Sequence, residues 1–335
     1  MRHVVAVDAG GTSTRAMVVD ADARCLGIGR SGRGNPVSDG PEAAGASIRA
    51  AVTGALVSAG IPGDSVAAFS VAMAGGNTMS GRADWLRQPM DELGIAADVI
   101  VEPDLLAMFC SGGPQADGYA LVSGTGSIAA IVRGGHVERF ADGIGWLLGD
   151  TGSGYWLGRE VARAVALALE GREPNTSMTA PVLRHFGIDH DSTLVNGHLK
   201  VLNDLVELVY AKSPLALAAL APIVFADPAD PVSVDIVDRA ATALADLVAS
   251  VHDADLPGPL VIGGGVLNGQ PRLAGATLAK LADSGIEPSV LTVGDGLVGA
   301  GVLVLRRLGL TVDDTNFATL QQSAAAQLAR IALSA

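Results

Sequence analysis

The chain is poor in cysteine, in aromatic residues and in charge. Its 335 residues include two cysteines, Cys25 and Cys110, which do not form a metal-binding or redox motif. We therefore expect a reducing, cytoplasmic setting without disulfides. Aromatic residues make up 4% and charged residues 17% of the chain, too little charge for a disordered or tail-like protein. These shortages predict a globular protein.

Segments for export, membrane insertion and zinc binding are also lacking. Residues 1–7 lead directly into a Gly-rich turn, without the basic and apolar regions of a secretory signal. The longest apolar stretch, 215–226, is interrupted by Pro222 and falls short of the roughly 20 residues that a membrane helix needs. The six histidines have no Cys or acidic partners at ligand spacing. We expect no export, no membrane partner and no protein-held zinc.

Positive charge is scarce relative to negative charge. The chain has 22 Lys and Arg against 35 Asp and Glu, a net charge of -13. Nucleic-acid binding requires clustered cations, so this balance argues against such a partner. If the chain binds phosphate, it must do so mainly through backbone amides and Mg²⁺.

What the chain does contain is an internal repeat. The first half has predicted strands at 4–7, 15–19 and 25–29 around a turn at 8–13; the second has strands at 120–122, 128–132 and 137–140 around a turn at 123–127. Helices alternating with short aliphatic strands follow each meander. The fold class predicted is therefore α/β, with two lobes built on duplicated βββαβα units.

The lobe boundary is predicted where Gly and Pro cluster, in 111–117. This divides the chain into a first lobe, 1–114, a second lobe, 115–310, and a terminal helix within 311–335 whose candidate packing partner is the first lobe. Further helices are predicted at 43–59, 78–93, 155–169, 272–283 and 297–308, and further strands at 66–73, 98–101, 260–262 and 290–293.

The turn between the first two strands combines one acid, two glycines and three hydroxyls. Its candidate phosphate-binding residues are Gly10, Gly11, Thr12, Ser13 and Thr14. Glycines let backbone N–H groups approach an anion, and hydroxyls add donors. Asp8 is the candidate Mg²⁺ ligand, most simply through water. The alternative is a tight hairpin with a polar tip.

A second turn of this kind occupies the equivalent point of the repeat. It contains Gly124, Thr125, Gly126 and Ser127, so two facing loops imply a nucleotide between the lobes. Residues 124–129 also match a dinucleotide-binding fingerprint, but that fingerprint requires a helix next, whereas 128–132 reads as a strand. No Gly-Lys pair occurs, which excludes a Walker loop.

Two aspartates are candidates for a site in the cleft, one after a predicted strand and one in a predicted loop. Asp104 lies after Pro103 at a strand end, where it would cap the next helix and could also accept a proton from a substrate hydroxyl. Glu102 could instead face solvent. Asp150 lies in the Gly-rich segment 143–156, as a candidate acceptor for sugar hydroxyls or as an N-cap. Trp146 and Trp156, in the same segment, are expected to pack rather than to stack on a sugar.

Two glycine clusters complete the pattern. The triplet Gly263, Gly264 and Gly265 ends a strand and would let adenine or ribose lie against the backbone; a tight crossover is the alternative. The small residues of 294–301 open a helix and predict close packing against a neighbouring helix at the hinge.

These segments, in this order, resemble the actin/hexokinase/Hsp70 ATPase superfamily over nearly the whole chain. Within it, 8–15, 102–104, 145–156 and the glycine triplet resemble the BadF/BadG-type ATPase group, which includes N-acetylglucosamine kinases and bacterial glucosamine kinases. The resemblance implies a two-lobed actin-like (ribonuclease H-like) fold that uses ATP and Mg²⁺. It also implies Asp104 as general base for the sugar 6-hydroxyl, with Asn35, Asp104, Gly145 and Asp150 binding the sugar.

Two departures from the family pattern affect the prediction of which sugar is the substrate. Pro36 and Val37 follow Asn35 where animal N-acetylglucosamine kinases carry aromatic bulk, and Thr151 stands where they have Glu. The expected substrate is therefore glucosamine, with N-acetylglucosamine as the alternative.

The sequence is also compatible with other classes of protein and with more than one oligomeric state. A rival from another class is a nucleotide-switched ATPase module for a protein partner; an iron–sulfur activator would need cysteines at positions other than 25 and 110. A non-catalytic sugar sensor is less favoured, because Asp104 is intact. A homodimer is left open as the assembly.

Overall fold

The computed structural model describes residues 3–73 and 83–334, and it contains two five-stranded sheets. The strands of the first sheet are β1 (His3–Ala9), β2 (Thr14–Val19), β3 (Cys25–Ser31), β4 (Val66–Met73) and β5 (Val99–Pro103). Those of the second are β6 (Gly118–Ser123), β7 (Ser127–Arg133), β8 (His136–Asp142), β11 (Leu260–Gly263) and β12 (Val290–Thr292). A separate two-stranded hairpin pairs β9 (Leu194–Val195) with β10 (His198–Leu199).

The two sheets have the same topology, which confirms the repeat. Their strand orders are β3-β2-β1-β4-β5 and β8-β7-β6-β11-β12. In each sheet, the first strand pairs antiparallel with the second strand and parallel with the fourth. The fourth strand also pairs, in parallel, with the fifth. The meander places the first turn of each half at the carboxyl end of its central strand, an edge where α/β sheets bind ligands.

Helices cover both sheets. In the first half they are α1 (Pro36–Asp39), α2 (Pro41–Ala59), α3 (Arg87–Asp91) and α4 (Asp104–Ser111). In the second they are α5 (Gly154–Leu169), α6 (Thr179–Phe186), α7 (Lys200–Tyr210), α8 (Pro231–Val251), α9 (Gly265–Gly269), α10 (Pro271–Asp283) and α11 (Leu297–Arg307), followed by α12 (Asp314–Ser334). The apolar stretch that includes Pro222 forms a 3₁₀ helix, Pro214–Phe225. Within the described ranges, every helix is too short or too polar to cross a membrane.

One predicted helix is shorter than expected. In place of a helix over 78–93, the structure has a 3₁₀ turn, Asp84–Leu86, and the five-residue α3. Residues 78–82 of that prediction lie outside the described residues. Pro89 lies within α3 and Gly94 follows with a φ of 75°, which explains why the helix does not extend.

Three buried clusters hold these layers together. One packs α2 on the outer face of the first sheet, around Phe69 and Ile48, and one packs α5 and α8 on the second sheet. The third lies between the halves and joins β1 and β6 through α4 and α11. The terminal helix packs against β3, where Ser323 Oγ accepts the Cys25 N–H at 2.9 Å and Gln327 donates to the Leu26 carbonyl at 3.0 Å.

Candidate active site

The first predicted phosphate turn joins β1 to β2. Gly10 N donates to Ser13 O at 3.0 Å, and Gly34 N donates to Gly10 O at 3.1 Å, so the segment after β3 holds the turn from one side. Gly11 and Thr12 are exposed at its tip. Thr14 is fully buried, and a Cβ at Gly34 would overlap its hydroxyl. Glycine at 34 is therefore required for this close approach.

Asp8 lies at the end of β1 beside two other carboxylates. Its Oδ2 accepts the Gly296 N–H at 3.2 Å, and Arg15 pairs with Asp295 at 2.5 Å. Burial, and then the charges of Asp295 and Asp104, raise the pKa of Asp8 to about 7, although Arg15 and the Gly296 N–H oppose the shift. The loop before α11 thus meets the turn of the first half.

Negative charge exceeds positive charge around Asp8, and a bound cation would reduce the repulsion between the carboxylates there. The charges of Asp295 and Asp104 both raise the pKa of Asp8, and Arg15, which pairs with Asp295, opposes them. Mg²⁺ is commonly held by one or two carboxylates together with substrate phosphates. Among the described residues no three acidic, His or Cys side chains could hold a metal ion by themselves, so Asp8, the ligand proposed from the sequence, fits Mg²⁺ as one ligand alongside substrate phosphates.

Asp104 is the first residue of α4, and its role at the helix start differs from the prediction. The N-cap is Pro103, which is still paired in β5 opposite Met73, so proline does not end the pairing before Asp104. Asp104 Oδ1 accepts its neighbour's N–H, from Leu105, at 2.9 Å. Burial raises the pKa of Asp104, and backbone hydrogen bonds offset part of that shift.

Glu102 does not face solvent, contrary to the alternative considered for it. Only 3% of the residue is exposed, and its Oε1 accepts from Arg307 Nε of α11 at 2.7 Å. Glu102 therefore contacts α11, the helix that follows the second sheet. Its partner is 205 residues away in the chain, which is why sequence reasoning missed the pair.

The second phosphate turn is attached to the start of α5. Gly154 N donates to Gly124 O at 2.8 Å, Tyr155 N to Thr125 O at 3.2 Å, and Ser123 Oγ to Gly152 O at 2.9 Å. A strand, β7, follows the turn and pairs antiparallel with β6, so the dinucleotide fingerprint is wrong and the reading as a second turn of the repeat is confirmed.

Asp150 contacts this second turn directly. Its Oδ1 accepts the Ser127 N–H at 2.9 Å, and only 7% of the residue is exposed. Burial, and then the nearby charge of Asp142, raise the pKa of Asp150, while the Ser127 N–H opposes the shift. The N-cap of α5 is Ser153, so the N-cap alternative for Asp150 is wrong.

The other predicted residues of this segment fall into two environments. Gly145 is exposed, with a φ of 86° that favours glycine. Trp156 is buried with the Arg239 guanidinium 5.2 Å from its ring, as expected for a packing residue, and half-buried Trp146 meets Tyr155 edge-on. Exposed Leu147 and Leu148 lie between Trp146 and Asp150 in the chain.

The glycine triplet lies against both halves. A Cβ at Gly264, whose φ is 92°, would overlap the Ser123 carbonyl, and a Cβ at Gly263 would overlap Met108 of α4. Gly265 is exposed and opens α9. Glycines here let the chain run close to Ser123, beside the second predicted phosphate turn. The backbone at Gly265 is exposed.

Asn35 caps α1 just beyond the first turn. Its Oδ1 accepts the Val37 N–H at 2.9 Å, so its amide nitrogen is the group left for a ligand. The charge of Asp104 raises the pKa of Asp8, whereas Asp150 contacts the second turn. Among the described residues no hydrogen bond or ion pair joins Asp150 to Asp104 or to Asn35.

Sequence reasoning missed Asp142 and the role of Asp295. Each is followed directly by a glycine. Asp142 is the last residue of β8, and Asp295 lies just beyond the end of β12. Asp295 follows β12, the counterpart of β5 in the repeat, as Asp104 follows β5. Aligning the two halves would have found it.

Comparisons with known proteins agree with this architecture. A glucosamine kinase from Vibrio cholerae is 26% identical over 229 residues, covering 66% of this chain and 76% of that protein. An N-acetyl-D-glucosamine kinase from Dictyostelium discoideum is 27% identical over 320 residues, covering 90% and 97%. The solved structure of a candidate N-acetylglucosamine kinase from Porphyromonas gingivalis has the same fold, with a TM-score of 0.70 at 21% identity over 92% of this chain and 100% of that chain.

The family is shown by a match over most of the chain. The model of the BadF/BadG/BcrA/BcrD ATPase family matches residues 5–301, which include both predicted phosphate turns, Asp104, Asp150 and the glycine triplet. The resemblance noted from the motifs is thereby confirmed, as is the actin-like two-sheet fold. This chain belongs to the BadF/BadG/BcrA/BcrD ATPase family.

Proposed function

We propose that this chain is an ATP-dependent hexosamine kinase that transfers the γ-phosphoryl group of MgATP to the 6-hydroxyl of glucosamine. The observation that carries the proposal is that Asp104, a buried carboxylate at the start of α4, lies close enough to Asp8 at the end of β1 for its charge to raise the pKa of Asp8. Membership of an ATPase family and relatives named as glucosamine and N-acetylglucosamine kinases support it.

The nucleotide is assigned to the edges of both sheets. The phosphates would lie between the turn 10–14 and the turn 124–127, with the adenosine beside 263–265. When bound, Mg²⁺ supplies positive charge that screens Asp8 from the phosphates. The lobes proposed from the sequence, 1–114 and 115–310, would close on the nucleotide and exclude water.

Asp104 is assigned as the general base. As the sugar 6-oxygen forms its bond to the γ-phosphorus, the bond from that phosphorus to the β,γ-bridging oxygen breaks, ADP leaves with that electron pair, and the hydroxyl proton passes to Asp104. Asn35, Gly145 and Asp150 are assigned to hold the sugar hydroxyls. The raised pKa of Asp104 makes it a stronger base than an exposed aspartate, as long as it is ionised.

Glucosamine is favoured over N-acetylglucosamine by charge. Glucosamine carries an ammonium group, and the candidate sugar residues lie in a strongly acidic chain where the charge of Asp142 acts on Asp150. The proposed N-acetylglucosamine alternative would replace that cation by a neutral acetamide, which needs apolar space. We also propose a cytoplasmic setting, which the two free, buried cysteines support.

A coupled assay for ADP release tests the reaction with glucosamine, N-acetylglucosamine, N-acetylmuramic acid and glucose. Sugar-dependent ADP release, highest with glucosamine, is the expected result. Highest kcat/KM with N-acetylglucosamine would select the alternative substrate. Slow hydrolysis that no sugar accelerates would overturn the kinase and favour the nucleotide-switched module.

The base is tested by Asp104→Asn, which keeps the shape of the side chain and removes the proton acceptor. We expect kcat to fall on the order of 10²-fold or more with ATP binding and folding retained. The matched control is Asp98→Asn, at an exposed aspartate just before β5, which should leave kcat unchanged. Near-normal turnover in Asp104→Asn would refute the assignment.

A further inference from the structure

Asp142, the last residue of β8, directs both carboxylate oxygens at the backbone that carries Asp150. Its Oδ2 accepts the Asp150 N–H at 2.8 Å and its Oδ1 accepts the same N–H at 3.1 Å. Oδ1 also lies 3.4 Å from the N–H of Ile144. A side chain eight residues earlier thus holds both ends of the exposed loop 143–149.

The backbone at both aspartates is in a conformation that non-glycine residues seldom adopt. Asp142 and Asp150 each have a φ of 63°, and three glycines between 143 and 152 also have positive φ values. Such a conformation costs free energy at a residue with a Cβ and persists only where neighbouring contacts determine it. The charge-assisted hydrogen bonds from the Asp150 N–H to Asp142 are contacts of that kind.

The chain leaves room for this carboxylate at Gly149. A Cβ at that position would overlap Asp142 Oδ1 and would lie 2.8 Å from Ile144 Cγ1. The φ of Gly149 lies outside the left-handed region, so its backbone does not by itself demand glycine. Space for the Asp142 side chain is the physical reason for glycine at this position.

The contacts continue from Asp150 into the second phosphate turn, because Asp150 Oδ1 accepts the Ser127 N–H at 2.9 Å. We infer that Asp142 is a positioning residue: it fixes the backbone of Asp150 so that the Asp150 carboxylate faces both the sugar and the turn 124–127. This inference rests on the proposed function, in which Asp150 binds a sugar hydroxyl.

The first test is Asp142→Asn, with Glu138→Gln as the matched control. Both replace a carboxylate of β8, but Glu138 is exposed and pairs with Arg133. We expect Asp142→Asn to raise the sugar KM on the order of tenfold, with a smaller change in ATP KM and in kcat, and Glu138→Gln to change none of them. An unchanged sugar KM in a folded Asp142→Asn protein overturns the inference.

The second test moves the carboxylate without removing its charge. Gly149→Ala should displace Asp142 and raise the sugar KM by a similar factor, although both aspartates are present. If Gly149→Ala is folded and keeps the wild-type KM, positioning by Asp142 is excluded.

Failure of the inference is distinguishable from failure of the proposed function. If wild-type protein shows no sugar-dependent turnover, or if Asp150→Asn leaves the sugar KM unchanged, the proposed function or its sugar site fails. If Asp150→Asn raises the sugar KM and neither Asp142→Asn nor Gly149→Ala does so, only the role of Asp142 fails.

Discussion

At the scale of single residues, the pKa values of buried aspartates shift in opposite directions, depending on how many hydrogen bonds each carboxylate accepts. Burial raises the pKa of Asp104 and of Asp150, so the folded state holds their protons more tightly than the unfolded chain does. At Asp230, burial acts in the same sense, but hydrogen bonds from Thr176, Ser177 and Val232 outweigh it and lower the pKa. Asp104 and Asp150 therefore reduce stability near neutral pH, whereas Asp230 contributes to it.

Asp230 collects donors from two segments, and this predicts a pH-dependent contribution to stability. Its Oδ2 accepts Thr176 Oγ1 at 2.5 Å and Ser177 N at 2.9 Å, while Oδ1 caps α8 through Val232 N at 2.9 Å. Because its folded pKa is depressed, the contribution is full above the unfolded value of about 3.9 and is lost as pH falls through the folded value.

Asp230→Asn should therefore lower the free energy of unfolding by about 2 kcal/mol at pH 7, since charge-assisted hydrogen bonds are lost. Urea unfolding at pH 7 and at a series of pH values below about 3.9 is the measurement, and the difference from wild type should narrow as the pH falls through that range. Asp235→Asn, at a side chain that is 66% exposed, is the control and should change stability by less than about 0.5 kcal/mol. Equal effects of the two substitutions would contradict the role of Asp230.

At the scale of elements, the crossing of α4 and α11 depends on the absence of a side chain. A Cβ at Gly299 would overlap the Ala107 carbonyl, and Gly299 N donates to Ser111 Oγ at 2.9 Å. The small residues at the start of α11 predicted this close packing, and the structure confirms it. Main-chain atoms meet here, so neither helix can yield by rotating a side chain.

Gly299→Ala should lower the free energy of unfolding by about 3 kcal/mol, because backbone would have to move. Gly275→Ala is the matched control: this helical glycine of α10 has open space around its Cβ position, so the substitution should raise stability by about 1 kcal/mol. Thermal unfolding of both variants measures the contrast. A Gly299→Ala protein as stable as wild type would show that the helices do not approach this closely.

Most elements could be predicted from local pattern, because each is determined by neighbours in the chain. The β8 strand and the α5 and α10 helices lie within a residue or two of their predicted bounds. Over residues 83–93, the helix predicted for 78–93 is reduced to a 3₁₀ turn and the short α3, which contains Pro89.

At the scale of the whole molecule, residues far apart in the chain join the two halves. Glu102 of β5 pairs with Arg307 of α11, and Arg15 of β2 pairs with Asp295 before α11. Glu102 is buried, whereas the Arg307 side chain is 40% exposed. The pair therefore couples the last strand of the first sheet to the helix that follows the second.

Arg307→Met should lower the free energy of unfolding by about 3 kcal/mol, because it leaves the Glu102 charge buried without its partner. The double variant Glu102→Leu with Arg307→Met should recover most of that loss, since no uncompensated charge remains. A double-mutant cycle in urea measures the coupling. Additive effects of the two substitutions would contradict a specific pair.

The sequence by itself determined the duplicated βββαβα pattern, the two glycine-rich turns and the candidate carboxylates Asp104 and Asp150, because strand periodicity and turn chemistry are local properties. Only the tertiary structure decided that Glu102 turns inward to Arg307, that Asp295 joins Asp8, and that Asp142 holds Asp150. Those contacts depend on how strands and loops meet in space, since the free energy of a buried charge is set by its three-dimensional neighbours.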